Sequence, residues 1–126
     1  MEADMQVYAL EEIIAEKLRA ILQHNQMLNE RGWSRSRARD YYDIWRILGV
    51  YRDRLDLTDF GRLVKVKCEV RGVDFQGPQD FFEETMLTYV ETTWNQWLGN
   101  LVPDLPVFET VIGELRPQIA AILKSA

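Results

Sequence analysis

Residues 10–22 of the chain read LEEIIAEKLRAIL, and the spacing of their apolar side chains decides the fold of this part of the protein. Aliphatic residues recur at intervals of three and four from Leu10 to Leu22, which predicts an amphipathic helix buried along one face. Lys17 occupies a position in that apolar stripe, although the opposite face offers ordinary solvated positions. Lys17 is therefore expected either to meet an opposite charge or to line a polar cleft.

Residues 37–48 read RARDYYDIWRIL and predict a second helix with charges of the opposite sign in a comparable place. Asp40, Asp43, Ile44 and Ile47 are spaced by three and four residues, so two carboxylates share a face with apolar side chains. Removing the partner of a buried charge costs about 3 to 5 kcal/mol. We therefore expect Lys17 and the aspartates either to satisfy one another or to line a polar cleft, and both arrangements bring the two helices together.

Each of these charged residues also has an ordinary structural explanation. The stem of Lys17 can extend along apolar surface to reach water, and Asp40 falls in the first turn of its helix, where a carboxylate interacts favourably with the helix dipole. If the stripe that includes Tyr41 and Trp45 is the buried one, Asp43 lies near its edge. The spacing alone leaves both interpretations open.

Two stretches carry a resemblance to a known family. Residues 7–20, VYALEEIIAEKLRA, and residues 37–45, RARDYYDIW, resemble the later motifs of the AbiEii/AbiGii-type abortive-infection toxins. Those proteins are nucleotidyltransferases of the DNA polymerase beta superfamily and occur in type IV toxin-antitoxin pairs. The resemblance implies catalytic roles for Lys17, in an A-E-K-L-x-A motif, and for Asp40 and Asp43, in an R-x-R-D-x-x-D motif.

The resemblance also implies cofactors and partners. In the full-length parent, nucleotidyl transfer implies a nucleoside triphosphate, Mg²⁺ and an RNA acceptor, and the toxin-antitoxin pairing implies an antitoxin protein. The Gly-Ser motif and the D-x-D pair that grip nucleotide and metal in such enzymes do not occur in residues 1–126. The segment Met5 to Tyr8 resembles the last strand of that missing half. The chain is therefore expected to be the C-terminal portion of such a protein, with no metal or cofactor of its own and no activity alone.

An arginine-rich connection precedes the second helix. Arg31, Arg35, Arg37 and Arg39 fall within nine residues. Guanidinium groups match phosphate oxygens in a bidentate manner, so Arg35, Arg37 and Arg39 are predicted to contact a triphosphate or an RNA end. A solvated loop whose arginines pair with surface glutamates is the alternative.

Composition excludes several classes of function. A net charge of −5 argues against a surface that binds nucleic acid everywhere, because such affinity depends on neutralising phosphates. A single cysteine, Cys68, excludes an internal disulfide and is typical of a reducing compartment, so a cytoplasmic location and no membrane association are predicted. His24 is the only histidine and has no second histidine or cysteine ligand nearby, so a zinc site is not predicted.

The fold predicted for residues 1–126 is a single all-α domain, an irregular bundle of about five helices with a short N-terminal strand remnant. Gly72 is expected to end the third helix, a break near Thr92 is considered in the fourth, and Pro117 is expected to kink or divide the last. Two other functions remain open. The chain could be a binding module that contacts an antitoxin or nucleic acid through residues 31–39, or a dimerisation domain whose charged residues form an internal salt bridge.

Overall fold

The computed structural model describes residues 2–31 and 37–123, with side chains from Leu10 onward. Within these ranges it has five α-helices: α1 (Glu2–Arg31), α2 (Ala38–Val50), α3 (Phe60–Val70), α4 (Glu84–Leu98) and α5 (Phe108–Leu123). Two short 3₁₀ helices, Arg52–Arg54 and Pro78–Phe82, lie in the connections. These ranges contain no β-strand, and the predicted all-α bundle is confirmed. None of the helices in them combines the length and the apolar character needed to cross a membrane.

The expectation of a strand at Met5 to Tyr8 was wrong, because these residues form part of α1. A strand needs a neighbouring strand for its backbone N–H and C=O groups, and the described residues offer none. A helix satisfies most of these groups within the segment itself. The sequence spacing agrees, since Val7, Leu10 and Ile14 lie three and four residues apart and extend the stripe of α1 towards its N-terminus.

Helix α1 contacts α2, α3 and the 3₁₀ helix Pro78–Phe82. Most of the predicted stripe is buried, and Ile14, Leu18 and Ile21 have no solvent exposure, whereas Ile13 is 39% exposed and lies outside the buried face. Burial of one such side chain stabilises the fold by about 1.5 to 3 kcal/mol, so the stripe fixes α1 against its neighbours. The other helices complete the core with residues that include Ile44, Phe60, Val64, Val90, Trp94, Leu115 and Ile119.

Ion pairs join α1 to α3 beside this core. Lys67 Nζ lies 2.9 Å from Glu12 Oε1 and 3.5 Å from Glu16 Oε1, and Arg19 Nη2 lies 3.2 Å from Glu16 Oε2. The hydrogen bond to Glu12 raises the pKa of Lys67. Burial by itself would raise the pKa of Glu16, but Arg19 and Lys67 hold that pKa below its ordinary value. These partly exposed pairs orient α3 on α1 while adding little stability each.

Helix α2 is anchored from its opposite side by an aromatic hydroxyl. Tyr41 is completely buried, and its hydroxyl donates to the Phe81 carbonyl oxygen at 2.5 Å. Burial raises the pKa of Tyr41 above its ordinary value, so the group stays a neutral donor. Trp45 Nε1 donates to Glu114 Oε1 at 2.8 Å and ties α2 to α5. These contacts hold the rotation of α2 about its axis, and with it the direction in which Asp40 and Asp43 project.

The fourth helical region is interrupted at Glu83, between the second 3₁₀ helix and α4, rather than near Thr92. The hydroxyls of Thr92 and Thr93 donate to the carbonyl oxygens of Thr88 and Tyr89 in the preceding turn. Both threonines therefore satisfy their polar groups within the helix, and α4 continues through them.

Gly72 ends α3 as its residue type predicts, whereas Pro117 does not divide α5. Gly72 has a φ of 67° and follows the last turn of α3, where the left-handed conformation ends the helix. Pro117 lies inside α5, which is one continuous element rather than two. Pro117 has no N–H for the carbonyl of Gly113, but Gly113 is exposed, so water can satisfy that oxygen.

Replacing Tyr41 with Phe removes the buried donor to Phe81 while keeping the ring. We expect Y41F to lower the free energy of unfolding by about 1 to 3 kcal/mol, because a buried carbonyl loses its partner. Urea denaturation followed by circular dichroism measures the change. Tyr51, which is 37% exposed, supplies the control: Y51F should unfold like the original chain. Equal stabilities for Y41F and Y51F would contradict the anchoring role.

Candidate functional site

Helices α1 and α2 place Lys17, Asp40 and Asp43 side by side. Lys17 projects from the same stripe as the buried Ile14 and Leu18, and the two carboxylates project from successive turns of α2. Lys17 Nζ lies 3.2 Å from Asp40 Oδ1 and 3.0 Å from Asp43 Oδ2. The structure thus brings together the three residues that the sequence singled out, and one ammonium group bridges both carboxylates.

The three side chains are largely buried but still reach solvent. The exposed fractions are 23% for Lys17, 14% for Asp40 and 27% for Asp43. An ammonium group has three N–H donors, and two carboxylates use two of them, so one donor can serve water or a ligand. The arrangement is therefore a site that a polar molecule can approach, held by charges that neutralise one another.

Arg37 extends this group of charges. Arg37 Nη1 lies 2.8 Å from Asp40 Oδ2, and Arg37 Nη2 lies 2.7 Å from His24 Nε2 on α1. Only 16% of the Arg37 side chain is exposed. Sequence reasoning missed His24, which it treated as an ordinary residue. The chain carries no local signal for this contact, because the two partners are thirteen residues apart.

The side chain of Arg39 is more exposed and more loosely paired than that of Arg37. Its Nε lies 3.7 Å from Asp43 Oδ2, and 73% of its side chain is exposed. A loose and exposed guanidinium can leave this pair at little cost. Arg35, which the sequence also predicts as a phosphate contact, lies outside the described residues.

We refer to Lys17, Arg37, Arg39, Asp40 and Asp43 as the charged cluster. Three positive and two negative side chains give it a net charge of +1, within a chain whose net charge is −5. A local positive excess favours an anionic ligand over a cationic one. The cluster is therefore suited to a phosphate group that can approach from the solvent side.

The described part of the chain provides no group of three or more histidine, cysteine, aspartate or glutamate side chains that could hold a metal ion. Asp40 and Asp43 already face the cationic side chains of Lys17 and Arg37.

Two surface clefts lie away from the charged cluster. One, of about 550 Å³, is lined by α4 residues that include Thr88 and Thr92, with Leu28 from α1. The other, of about 200 Å³, is lined by polar residues that include Asn25 and Asp80. Neither cleft is lined by Lys17, Asp40 or Asp43.

Replacing Lys17 with Met leaves two neighbouring carboxylates without their shared cation. We expect K17M to lower the free energy of unfolding by about 1 to 3 kcal/mol, less than for a fully buried pair because the residues keep partial exposure. Adding D43L should recover most of that loss, because the remaining carboxylate, that of Asp40, still pairs with Arg37. Denaturant titration measures both variants, with K65M on the exposed face of α3 as the control. If K17M proves as stable as K65M, the bridge contributes nothing to the fold.

Comparison with known proteins agrees with the motifs that frame this site. Residues 1–123 match the family described as nucleotidyl transferase AbiEii toxin, type IV TA system. Comparisons with curated proteins and with solved structures find no match. The family match spans nearly the whole chain and includes both helices of the charged cluster. The chain therefore belongs to the AbiEii family of nucleotidyl transferase toxins of type IV toxin-antitoxin systems.

Proposed function

We propose that this chain supplies Lys17, Asp40 and Asp43 to a nucleotidyl transfer site and presents them to a nucleoside triphosphate and an RNA acceptor. The observation that carries the proposal is the Lys17 ammonium, held 3.0 and 3.2 Å from two carboxylates on a surface that solvent reaches. Membership of a nucleotidyl transferase family supports the reaction type. A cationic group held rigidly beside acidic groups is the kind of arrangement that phosphoryl chemistry uses.

In this reaction a hydroxyl of the RNA attacks the α-phosphorus of the triphosphate. A new oxygen–phosphorus bond forms, the bond to the bridging oxygen breaks, and pyrophosphate leaves. Lys17 contacts the triphosphate and stabilises the charge that develops on its oxygens. An aspartate orients the attacking hydroxyl and takes its proton. Positioning and charge stabilisation supply most of the rate enhancement.

The two aspartates divide these roles. Asp40 uses both carboxylate oxygens, one for Lys17 and one for Arg37, and only 14% of its side chain is exposed. Asp43 is 27% exposed and uses the same oxygen, Oδ2, for Lys17 and Arg39. Asp43 is therefore the residue that orients the acceptor hydroxyl, and Asp40 holds Lys17 in place.

Mg²⁺ and the triphosphate are proposed to bind mainly outside the described residues, which contain no group of three or more histidine, cysteine, aspartate or glutamate side chains. We propose that a metal-binding half, joined to this chain or assembled with it, holds both. When bound, Mg²⁺ would neutralise charge on the phosphates. On this proposal the chain alone does not transfer nucleotides, and an antitoxin protein is its regulatory partner.

The arginines contribute unequally to phosphate binding. Arg39 is exposed and loosely paired, so it contacts phosphate without disturbing the fold. Arg37 has both terminal nitrogens engaged and would lose two contacts on binding phosphate. Arg35 is included on sequence grounds alone. Arg46 is exposed and lies seven residues after Arg39, on the same face of α2, and extends this positive surface along the helix.

Nucleotide transfer tests the proposed role of Lys17. The chain is joined at its N-terminus to the metal-binding half of an AbiEii-family protein, and transfer of radiolabelled nucleotide to RNA is measured with Mg²⁺ present. We expect K17A to lower the transfer rate by about 10²- to 10³-fold, because a charge-stabilising group is lost. The chain without the added half should give no transfer.

K65A is the matched control, since Lys65 is an exposed lysine on α3. It should transfer at the original rate. Equal rates for K17A and K65A, in protein shown to be folded by circular dichroism, would overturn the role given to Lys17.

RNA binding tests the surface formed by Arg39 and Arg46. We expect R39Q with R46Q to weaken binding of a short RNA and to reduce the slope of log affinity against log salt by about 1 to 2, because up to two phosphate contacts are lost. Fluorescence anisotropy over a series of salt concentrations measures both quantities. R62Q on the exposed face of α3 is the control. An unchanged slope in the double variant would exclude these arginines as phosphate contacts.

A further inference from the structure

Arg37 links α1 to α2 immediately before α2 begins. Its Nη1 donates to Asp40 Oδ2 at 2.8 Å, and its Nη2 lies 2.7 Å from His24 Nε2. A guanidinium group has only donors, so His24 Nε2 must accept in this contact. An accepting Nε2 carries no proton, which means that His24 is neutral here, with its ring proton on Nδ1.

The contacts of Arg37 fix the carboxylate of Asp40. Asp40 Oδ2 is held by Arg37, and Asp40 Oδ1 is 3.2 Å from Lys17 Nζ. Rotation of that carboxylate would break both contacts. Asp40 therefore has one orientation while Arg37 stays in place, and Lys17 keeps the partner that holds its ammonium beside Asp43.

His24 and Lys17 are seven residues apart on α1 and so lie on the same face of the helix, two turns apart. The contacts run from His24 on α1 to Arg37, from Arg37 to Asp40, and from Asp40 back to Lys17 on α1. Because both ends of this series of contacts lie on α1, each of its side chains is held more firmly than in a series anchored at one end only. Loss of the contact between His24 and Arg37 would allow Arg37 to move and, through it, Asp40.

We propose that His24 is a positioning residue for Lys17. His24 acts by accepting a hydrogen bond from Arg37. The catalytic meaning of this role rests on the function proposed above, but the positioning does not. Arg37 then serves to orient Asp40 rather than to bind phosphate. Asn and Gln carry oxygens that also accept hydrogen bonds, so an accepting side chain of suitable reach can replace His24, and an apolar one cannot.

Chemical modification of Lys17 tests this proposal without any nucleotide, so its outcome is independent of nucleotidyl transfer. Lysines of the whole chain are reductively methylated with formaldehyde and a mild hydride donor, and peptide mass spectrometry gives the rate at Lys17 relative to Lys65. We expect H24L to raise the relative rate at Lys17 by about fivefold, which corresponds to the net contribution of one typical hydrogen bond. H24Q should keep the original rate, because its Oε1 accepts from Arg37.

Q26L is the control for an apolar substitution at an exposed position of the same helix, and it should leave the rate unchanged. An unchanged rate in H24L would overturn the proposal. Equal increases in H24L and H24Q would also overturn it, because they would show that the imidazole acts through its shape and not as an acceptor.

The tautomer of His24 gives a second measurement that needs no variant. His24 is the only histidine, so its ring nitrogens are assigned without ambiguity in a ¹⁵N-labelled sample. At mildly alkaline pH we expect long-range ¹H–¹⁵N correlations to show a protonated Nδ1 and an unprotonated Nε2. A proton on Nε2 would contradict the contact with Arg37 and with it the positioning role.

Discussion

The ammonium group of Lys17 is the point on which the arrangement of α1 and α2 depends. It projects from a stripe whose neighbours, Ile14 and Leu18, have no exposure, so α1 can pack on α2 only where the charge is met. Asp40 and Asp43 meet it at 3.2 and 3.0 Å. A lysine that lost both carboxylates would carry an unpaired, largely buried charge, whose cost is comparable to the free energy gained by packing one side chain.

The same contacts connect stability to function. Apolar residues at these positions would pack as well or better, since buried ion pairs are often no more stabilising than apolar groups of similar size. Charges that interrupt an apolar stripe are therefore expected where chemistry requires them. In an AbiEii-family chain, the chemistry proposed is nucleotidyl transfer, and the rest of the bundle holds two helices at the separation that this cluster needs. Tyr41 and Trp45 serve that purpose by fixing the rotation of α2.

The sequence predicted those features that follow from local spacing. The burial of the α1 stripe, the pairing of Lys17 with the aspartates and the left-handed Gly72 all follow from periodicity or residue type. The prediction of a strand at Met5 to Tyr8 was wrong, because these residues continue the helical spacing of α1. The contact of His24 with Arg37 could not be predicted, since the two partners lie thirteen residues apart and helical periodicity does not relate them.

The most direct test of this account is a measurement of the hydrogen bonds of the Lys17 ammonium group in solution. In protein labelled with ¹⁵N and ¹³C, long-range NMR couplings can connect Lys17 ¹⁵Nζ to carboxylate carbons across hydrogen bonds. The account predicts couplings to the Cγ atoms of both Asp40 and Asp43, and slower exchange of the Lys17 ammonium protons with water than at Lys65. An ammonium of Lys17 that exchanges as fast as that of Lys65, with no coupling to either aspartate, would contradict it.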